Sequence, residues 1–190
     1  MARPIAYDRD RVIELAALQF WEDGFGDCNV DALTKRAGVN RHSLYGAFGG
    51  KAGLYLDALD FYVATIAAPY LAILEGGNAL DDLARFFATV ARDGFDARGC
   101  LITNSVIELG RSDARVAAII DRYYARYVAA FAGLVARAQA GGSIRADLDA
   151  DAVARWLLVT TQGMSVAARL GAPGPDVTEI VRHALAPRQD

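Results

Sequence analysis

Apolar residues recur every three to four positions along almost the whole chain, and no segment alternates convincingly with period two. The first pattern is typical of an amphipathic helix, whereas strict alternation indicates a half-buried strand. The sequence therefore predicts an all-α fold of about nine helices. They are expected over residues 8–22, 29–37, 41–48, 51–69, 80–95, 100–109, 113–140, 149–170 and 175–185.

Two domains are expected with no flexible linker between them. We place the boundary inside the predicted fourth helix, which gives an N-terminal domain at 1–52 and a C-terminal domain at 53–190. Pro69 is expected to kink or end that helix, because proline lacks an amide hydrogen and clashes with the preceding turn. No internal repeat or low-complexity segment interrupts either part.

The segment at 30–51, VDALTKRAGVNRHSLYGAFGGK, predicts two short helices joined by a tight turn. Gly38 suits the left-handed residue that ends a helix, and Asn40 suits the N-cap of the next one. The shared apolar seam comprises Leu33, Ala37, Val39, Leu44, Tyr45 and Phe48. Such a unit is typical of a helix-turn-helix whose second helix enters the DNA major groove, within an N-terminal three-helix domain.

The charge distribution supports this interpretation. Residues 34–51 hold four basic residues and no acidic one, within a chain of net charge −3, so the remainder carries −7. Nonspecific polyanion binders are usually basic throughout, and this composition argues against that class. A local basic face on an acidic protein remains. The alternative is a solvated basic turn on an ordinary helical protein.

Enzymatic chemistry finds no support in the sequence. The chain has two histidines, His42 and His183, so a Ser/His/Asp arrangement would need one of them. Glycine-rich phosphate loops and HExxH are absent, and the two cysteines fit no metal-ligand spacing. We predict no enzyme activity, no cofactor and no metal. No signal peptide or membrane span is evident, so the default expectation is a cytoplasmic protein.

Residues 8–59 resemble the N-terminal domain of the TetR/AcrR family of bacterial transcriptional regulators. The matching positions are Ile13, Ala16, Ala17, Phe20, Gly24, Phe25, Val30, Leu33, Arg36, Ala37, Gly38, Val39, Leu44, Tyr45, Phe48, Lys51 and Leu54. Residues 60–190 resemble the family's variable helical half more loosely, through 98–101, 144–148 and 162–163.

The resemblance implies a homodimer that binds a palindromic operator in double-stranded DNA, usually as a repressor, and is released by a small molecule. The positions it places at or beside DNA are Thr34, Asn40, Arg41, His42, Ser43, Tyr45, Gly46 and Lys51. His42 stands where glycine is frequent. Thr34 takes a usually small alanine position, where its role is packing in the alternative interpretation.

The C-terminal half is expected to hold a ligand-binding cavity, because ligand sites are mostly apolar with a few placed polar groups. The candidates are Phe61, Tyr62, Phe86, Phe87, Cys100, Asn104, Glu108, Tyr123, Tyr127, Trp156 and Gln162. The effector would be a small hydrophobic or aromatic molecule. The alternative for each aromatic residue is ordinary core packing, and the alternative function is a helical small-molecule binding protein that does not regulate.

Two further features carry expectations. Cys100 follows Gly99 at the start of a predicted helix, where the helix dipole and Arg98 would favour a reactive thiolate. It is either a redox or electrophile sensor or a small buried hydrophobe. Dimerisation is expected through the last two helices as a four-helix bundle around a two-fold axis. The surface predicted for it comprises Ala152, Ala154, Trp156, Leu157, Val159, Gly163, Ala167, Ala168, Val177, Ile180, Val181 and Leu185.

Overall fold

A computed structural model describes residues 7–94, 98–172 and 177–187. Within these ranges the chain forms ten α-helices and no strand, which confirms the all-α prediction. The helices are α1 Arg9–Asp27, α2 Val30–Ala37, α3 Arg41–Phe48, α4 Gly50–Phe61, α5 Ala68–Leu74, α6 Ala79–Thr89, α7 Leu101–Leu109, α8 Ala114–Ala140, α9 Ala150–Arg169 and α10 Thr178–Leu185.

The predicted N-cap at Asn40 and the predicted helix end at Gly38 are confirmed. The side chain of Asn29 caps α2 by accepting hydrogen bonds from the backbone of residues 31 and 32, and Asn40 caps α3 through the Ser43 amide. Gly38 ends α2 with φ +67°, the left-handed conformation that glycine adopts without steric cost. Local chemistry alone therefore fixes the start of both short helices and the turn between them.

The predicted fourth helix is two helices. After α4 the chain makes a π-helical turn at Tyr62–Ile66, and α5 begins at Ala68 with a bend of 42°. The break therefore falls before Pro69, which lies in the first turn of α5, where its missing amide hydrogen leaves no bond unmade. Helix formation resumes after the bend, and this accounts for the extra helix.

Other boundaries also move. The helix expected to reach residue 95 ends at Thr89 and is followed by a π-helical turn, Val90–Gly94. Residues 95–97, at the end of that predicted helix and the start of the turn after it, lie outside the described residues, as does the expected start of the last helix at residue 175. Gly24, with φ +84°, breaks α1 as expected, although a further turn continues to Asp27.

Two apolar clusters form the core. The first cluster contains residues of the four helices α1, α2, α3 and α4 and of the first turns of α7 and α8. The second contains residues of α5, α6, α9 and α10 and of the rest of α8. Tyr123 and Tyr124 on α8 pack against both clusters. Among the described residues, no single helix is long and apolar enough to cross a membrane, although α4 and α5 with the bend between them pass that test as a pair.

Candidate nucleic-acid interface and ligand cavity

The N-terminal turn of α3 presents Arg41 and His42 to solvent. The Asn40 side chain is occupied by its capping bond, since its Oδ1 atom accepts from the Ser43 amide at 2.8 Å. Gly46 is also exposed, and a methyl group there would meet nothing within 4 Å. One face of α3 is therefore open over two turns.

Arg41 is held by contacts on two sides. One terminal nitrogen, Nη1, donates to the Asp31 carboxylate at 3.2 and 3.3 Å, and the other, Nη2, donates to the Tyr45 hydroxyl at 3.1 Å. The guanidinium also lies 5.1 Å from the centre of the Tyr45 ring. The Tyr45 hydrogen bond and the Asp31 charge raise the pKa of Arg41, so the side chain stays cationic.

Of the predicted DNA-facing residues, Thr34 is buried and Lys51 contacts the end of α1. Thr34 is only 7% exposed, and its hydroxyl donates to the Asp31 carbonyl at 2.8 Å, so it serves packing within α2. Lys51 donates to the Gly26 carbonyl at 2.9 Å, and its ammonium lies 5.2 Å from the Phe25 ring centre. An ammonium has three N–H donors, so Lys51 retains capacity for a phosphate beside this contact.

Glu108 joins the C-terminal half to the end of α1. Its two carboxylate oxygens accept from the amides of Phe25 and Gly26 at 2.7 and 2.5 Å. A methyl group at Gly24 would lie 2.9 Å from the same carboxylate. Glu108 thus binds the backbone of the N-terminal domain. It does not line the cavity, so the prediction that placed it there is wrong. The paired glycines around Phe25 were the sequence signal for this close approach.

A cavity of about 20 Å³, room for about one water molecule, lies between the π-helical turn Tyr62–Ile66 and helices α5, α6, α7, α8 and α9. The described residues that line it include no acidic or basic side chain. They are Tyr62, Ala67, Tyr70, Phe86, Val90, Cys100, Thr103, Tyr123, Tyr124, Tyr127, Leu158, Thr161 and Gln162. The lining thus combines five tyrosines and a few uncharged polar side chains, Thr103, Thr161 and Gln162, with apolar residues.

Six of the predicted ligand-binding residues meet at this cavity: Tyr62, Phe86, Cys100, Tyr123, Tyr127 and Gln162. The others lie elsewhere. Phe61 lines an open groove beside Arg9, Phe87 is buried in the second core cluster, and Trp156 is 41% exposed on α9. The Asn104 amide donates to the Arg98 carbonyl. Helical spacing alone could not tell which of these side chains converge.

The cavity keeps its hydroxyl groups neutral. Burial is the main cause that raises the pKa of Tyr62, Tyr123, Tyr124 and Tyr127, so all four stay protonated at neutral pH and further into the alkaline range than a free phenol does. The Cys100 sulfur lies 3.8 Å from the Tyr123 hydroxyl. This lining suits an uncharged ligand that accepts hydrogen bonds.

Cys28 lies outside the cavity, in the first core cluster. Burial raises the pKa of its thiol to about 11, so it remains a neutral side chain at physiological pH. This placement agrees with a structural role.

The exposed apolar residues of α9 and α10 lie partly where dimerisation was expected. Trp156, Val159 and Ile180 are 41%, 63% and 66% exposed. Leu157 and Val181, by contrast, are buried within the subunit and cannot contribute to such a surface. The prediction was too broad because both faces of α9 are apolar and only the structure separates them.

Two short helices joined by a tight turn, with an exposed basic first turn on the second, have the geometry of a helix-turn-helix of the kind found in DNA-binding proteins. Residues 12–58 match the family model described as bacterial regulatory proteins, tetR family, and residues 72–184 match the tetracyclin repressor-like C-terminal domain. The chain belongs to the TetR family, and it is a DNA-binding regulator of transcription.

Individual relatives agree with this assignment. The HTH-type transcriptional repressor ComR of Escherichia coli (strain K12) is 30% identical over 176 residues, which cover 90% of this chain and 83% of ComR. The repressor DhaR of Mycobacterium sp. (strain GP1) is 27% identical over 157 residues, 82% of this chain and 79% of DhaR. A cysteine mutant of the TetR family regulator CifR, solved with a 26-base-pair operator, has a TM-score of 0.83 at 26% identity, covering 97% of this chain and 100% of that one.

Proposed function

We propose that this chain is a homodimeric repressor that binds a palindromic operator and leaves it when a small uncharged molecule enters the cavity. The observation that carries the proposal is the exposed first turn of α3, where Arg41 stands beside His42 on a helix-turn-helix. The names of ComR and DhaR as repressors, and the operator bound to CifR, support the same direction of control.

Within this proposal the side chains of α3 and of the first turn of α4 have two different roles. Arg41 donates to a guanine edge, with His42 and Ser43 beside it, and a good base contact discriminates by roughly 1–3 kcal/mol. Tyr45 and Lys51 hold phosphates, which position the helix without reading sequence. Domain boundaries at 52 and 53 remain part of the proposal, with α4 contributing to both halves.

Dimerisation would use the outer face of α9 with α10. Trp156, Val159 and Ile180 are large apolar side chains left exposed there, and such a patch marks an interaction surface. Two copies related by a two-fold axis would present their α3 helices about one duplex turn apart, ~34 Å, or a multiple of it. That geometry requires a palindromic operator.

Coupling between the cavity and the DNA would run through α7 as well as along α4. Thr103 on α7 lines the cavity, and Glu108 one and a half turns later holds the Phe25 and Gly26 amides. Because the cavity holds about 20 Å³, an effector larger than a water molecule must displace the surrounding helices. A displacement of α7 would then act directly on the N-terminal domain at 1–52, which carries α3 and is called the reading domain below.

The test begins with selection of binding sites for the wild-type protein from random duplex DNA. Affinity for the recovered duplex is then measured by fluorescence anisotropy for Arg41→Ala and for Arg115→Ala, which removes the same charge from α8. We expect Arg41→Ala to weaken binding by about 5- to 150-fold, as the loss of a base contact requires. The control should change affinity less than about twofold. Equal affinities for both variants would refute the role of Arg41 in base reading.

A second candidate is that Cys100 senses oxidants or electrophiles, because its sulfur lies at the cavity beside Tyr123. N-ethylmaleimide should then release wild-type protein and Cys28→Ser from the selected duplex, whereas Cys100→Ser should stay bound. Release of Cys100→Ser at the wild-type rate would end the sensor hypothesis and leave Cys100 as cavity lining.

A further inference from the structure

We propose that Asp31 positions Arg41 for contact with a base and thereby sets the guanine preference of α3. This inference rests on the proposed function, since it assumes that Arg41 contacts bases. Asp31 would not itself touch a base. Asp31 lies on α2 and Arg41 on α3. Asp31 would therefore act across the turn between the two helices, through the guanidinium that its carboxylate binds.

The backbone of Asp31 is fixed in place at the start of α2. The Asp31 amide donates to the capping oxygen of Asn29 at 3.0 Å, and its carbonyl accepts from the buried Thr34 hydroxyl at 2.8 Å. Both backbone polar groups are therefore tied to neighbouring side chains at the start of α2. This gives Thr34 a function in the reading domain although it faces inward.

The hydrogen-bond count leaves Arg41 able to read a base. A guanidinium carries five N–H groups. In the free protein one terminal nitrogen is directed at Asp31 and the other at Tyr45. If each uses one N–H, three remain, and two suffice for the O6 and N7 atoms of guanine. Holding the long side chain before DNA arrives reduces the conformational entropy lost on binding.

The charge of Asp31 acts in the opposite direction on DNA of any sequence. Its carboxylate is 62% exposed on the basic face, where it repels phosphates and weakens nonspecific binding. Asp31 therefore costs general affinity and favours the guanine-specific contact, so both effects raise the ratio of specific to nonspecific binding. A role limited to the helix dipole of α2 would alter stability and leave base preference unchanged.

The test runs site selection from one random duplex library in parallel for the wild type, Asp31→Asn, Asp31→Ala and Arg41→Lys. Asp27→Asn is the matched control, because it removes an exposed acid of the same domain that has no contact with Arg41. Affinity for unselected duplex is measured for each protein, and thermal unfolding checks that each variant is folded.

We expect the guanine position that Arg41→Lys loses to weaken in the Asp31 variants as well. The preference should fall by about fivefold in Asp31→Ala, a fraction of one good base contact, and by less in Asp31→Asn, which keeps one acceptor oxygen. Affinity for unselected DNA should stay equal or rise. Asp27→Asn should keep the wild-type site.

Two results would overturn the inference. In the first, the Asp31 variants keep the wild-type guanine preference, as the control Asp27→Asn should, and gain only affinity for unselected DNA. Asp31 would then be a charged neighbour of Arg41 without a positioning role. If the wild-type protein enriches no two-fold symmetric site at all, the proposed DNA-reading function fails first, and the inference fails with it. The wild-type selection therefore separates the two failures.

Discussion

The reading domain and the cavity solve opposite physical problems. At α3 the polar groups are exposed and satisfied by near neighbours in sequence, as in the bonds of Asn40 to Ser43 and of Arg41 to Tyr45. At the cavity the hydroxyls are buried, and they come from helices far apart in the chain. The exposed face of α3 is therefore built by local geometry and charge, whereas the cavity is built by long-range packing.

The largest expected effect separates stability from DNA reading. Phe131 is fully buried, and its ring packs edge-on against Phe86 at 5.3 Å. Phe131→Ala should lower the free energy of unfolding by about 3–5 kcal/mol, because it leaves a cavity in the second core. Chemical denaturation measures this, and the folded fraction should select the wild-type DNA site. A changed DNA site with an unchanged free energy of unfolding would show that Phe131 acts on DNA binding and not on the stability of the core.

The next effect tests the backbone between the reading helix and α4. A methyl group at Gly53 would lie 1.7 Å from the Phe48 carbonyl oxygen, so α3 and α4 approach too closely for any side chain. Gly53→Ala should destabilise the protein by about 3 kcal/mol. Gly46→Ala is the matched control on α3, where the added methyl group meets nothing, and it should stabilise by about 0.5–1 kcal/mol. Two equal melting curves would show that the close approach relaxes at no cost.

An alkaline titration tests the junction between the two regions. Burial raises the pKa of Tyr55 to about 12, and its hydroxyl donates to Ser105, which in turn donates to the Leu101 carbonyl. The unfolded phenol ionises near pH 10, so the stabilisation is present below pH 10 and is lost between about 10 and 12. Tyr55→Phe should lack this loss, roughly 2 kcal/mol. Parallel stability curves for the two proteins from pH 9 to 12 would contradict it.

A smaller effect concerns Glu108. Glu108→Gln keeps one acceptor oxygen of the two that hold Phe25 and Gly26, so about 1 kcal/mol of stability should be lost at this contact. Hydrogen exchange at residues 25 and 26 should quicken more than in Glu22→Gln, a control that removes an exposed charge from α1. Unchanged exchange at both amides would show that the carboxylate does not hold this turn.

The sequence predicted the reading domain well because its determinants are local. Asn29, Asn40 and Gly38 act within four residues of themselves, so the caps could be placed without a structure. The role proposed for Asp31 has no local sequence signal, because its bond to Arg41 crosses the turn between α2 and α3. The DNA contacts themselves stay a prediction.

The cavity was harder to predict for a physical reason. The break at Ala67 and the bend of 42° lie between Tyr62 and Tyr70, which both line the cavity, and helical periodicity did not predict that break. Tyr70 and Thr103 line the cavity, while Phe87 packs in the core one position from Phe86. Helical periodicity identifies the buried face of each helix, but it does not specify which buried faces enclose a space.

The most direct test is hydrogen–deuterium exchange of the wild-type protein with and without its selected duplex. We expect the largest protection from exchange on DNA binding to fall within 30–51, and the exchange rates of α7, α8 and α9 to change less. Maximal protection in α7 to α9 with α3 unchanged would contradict the claim that the helix-turn-helix reads DNA.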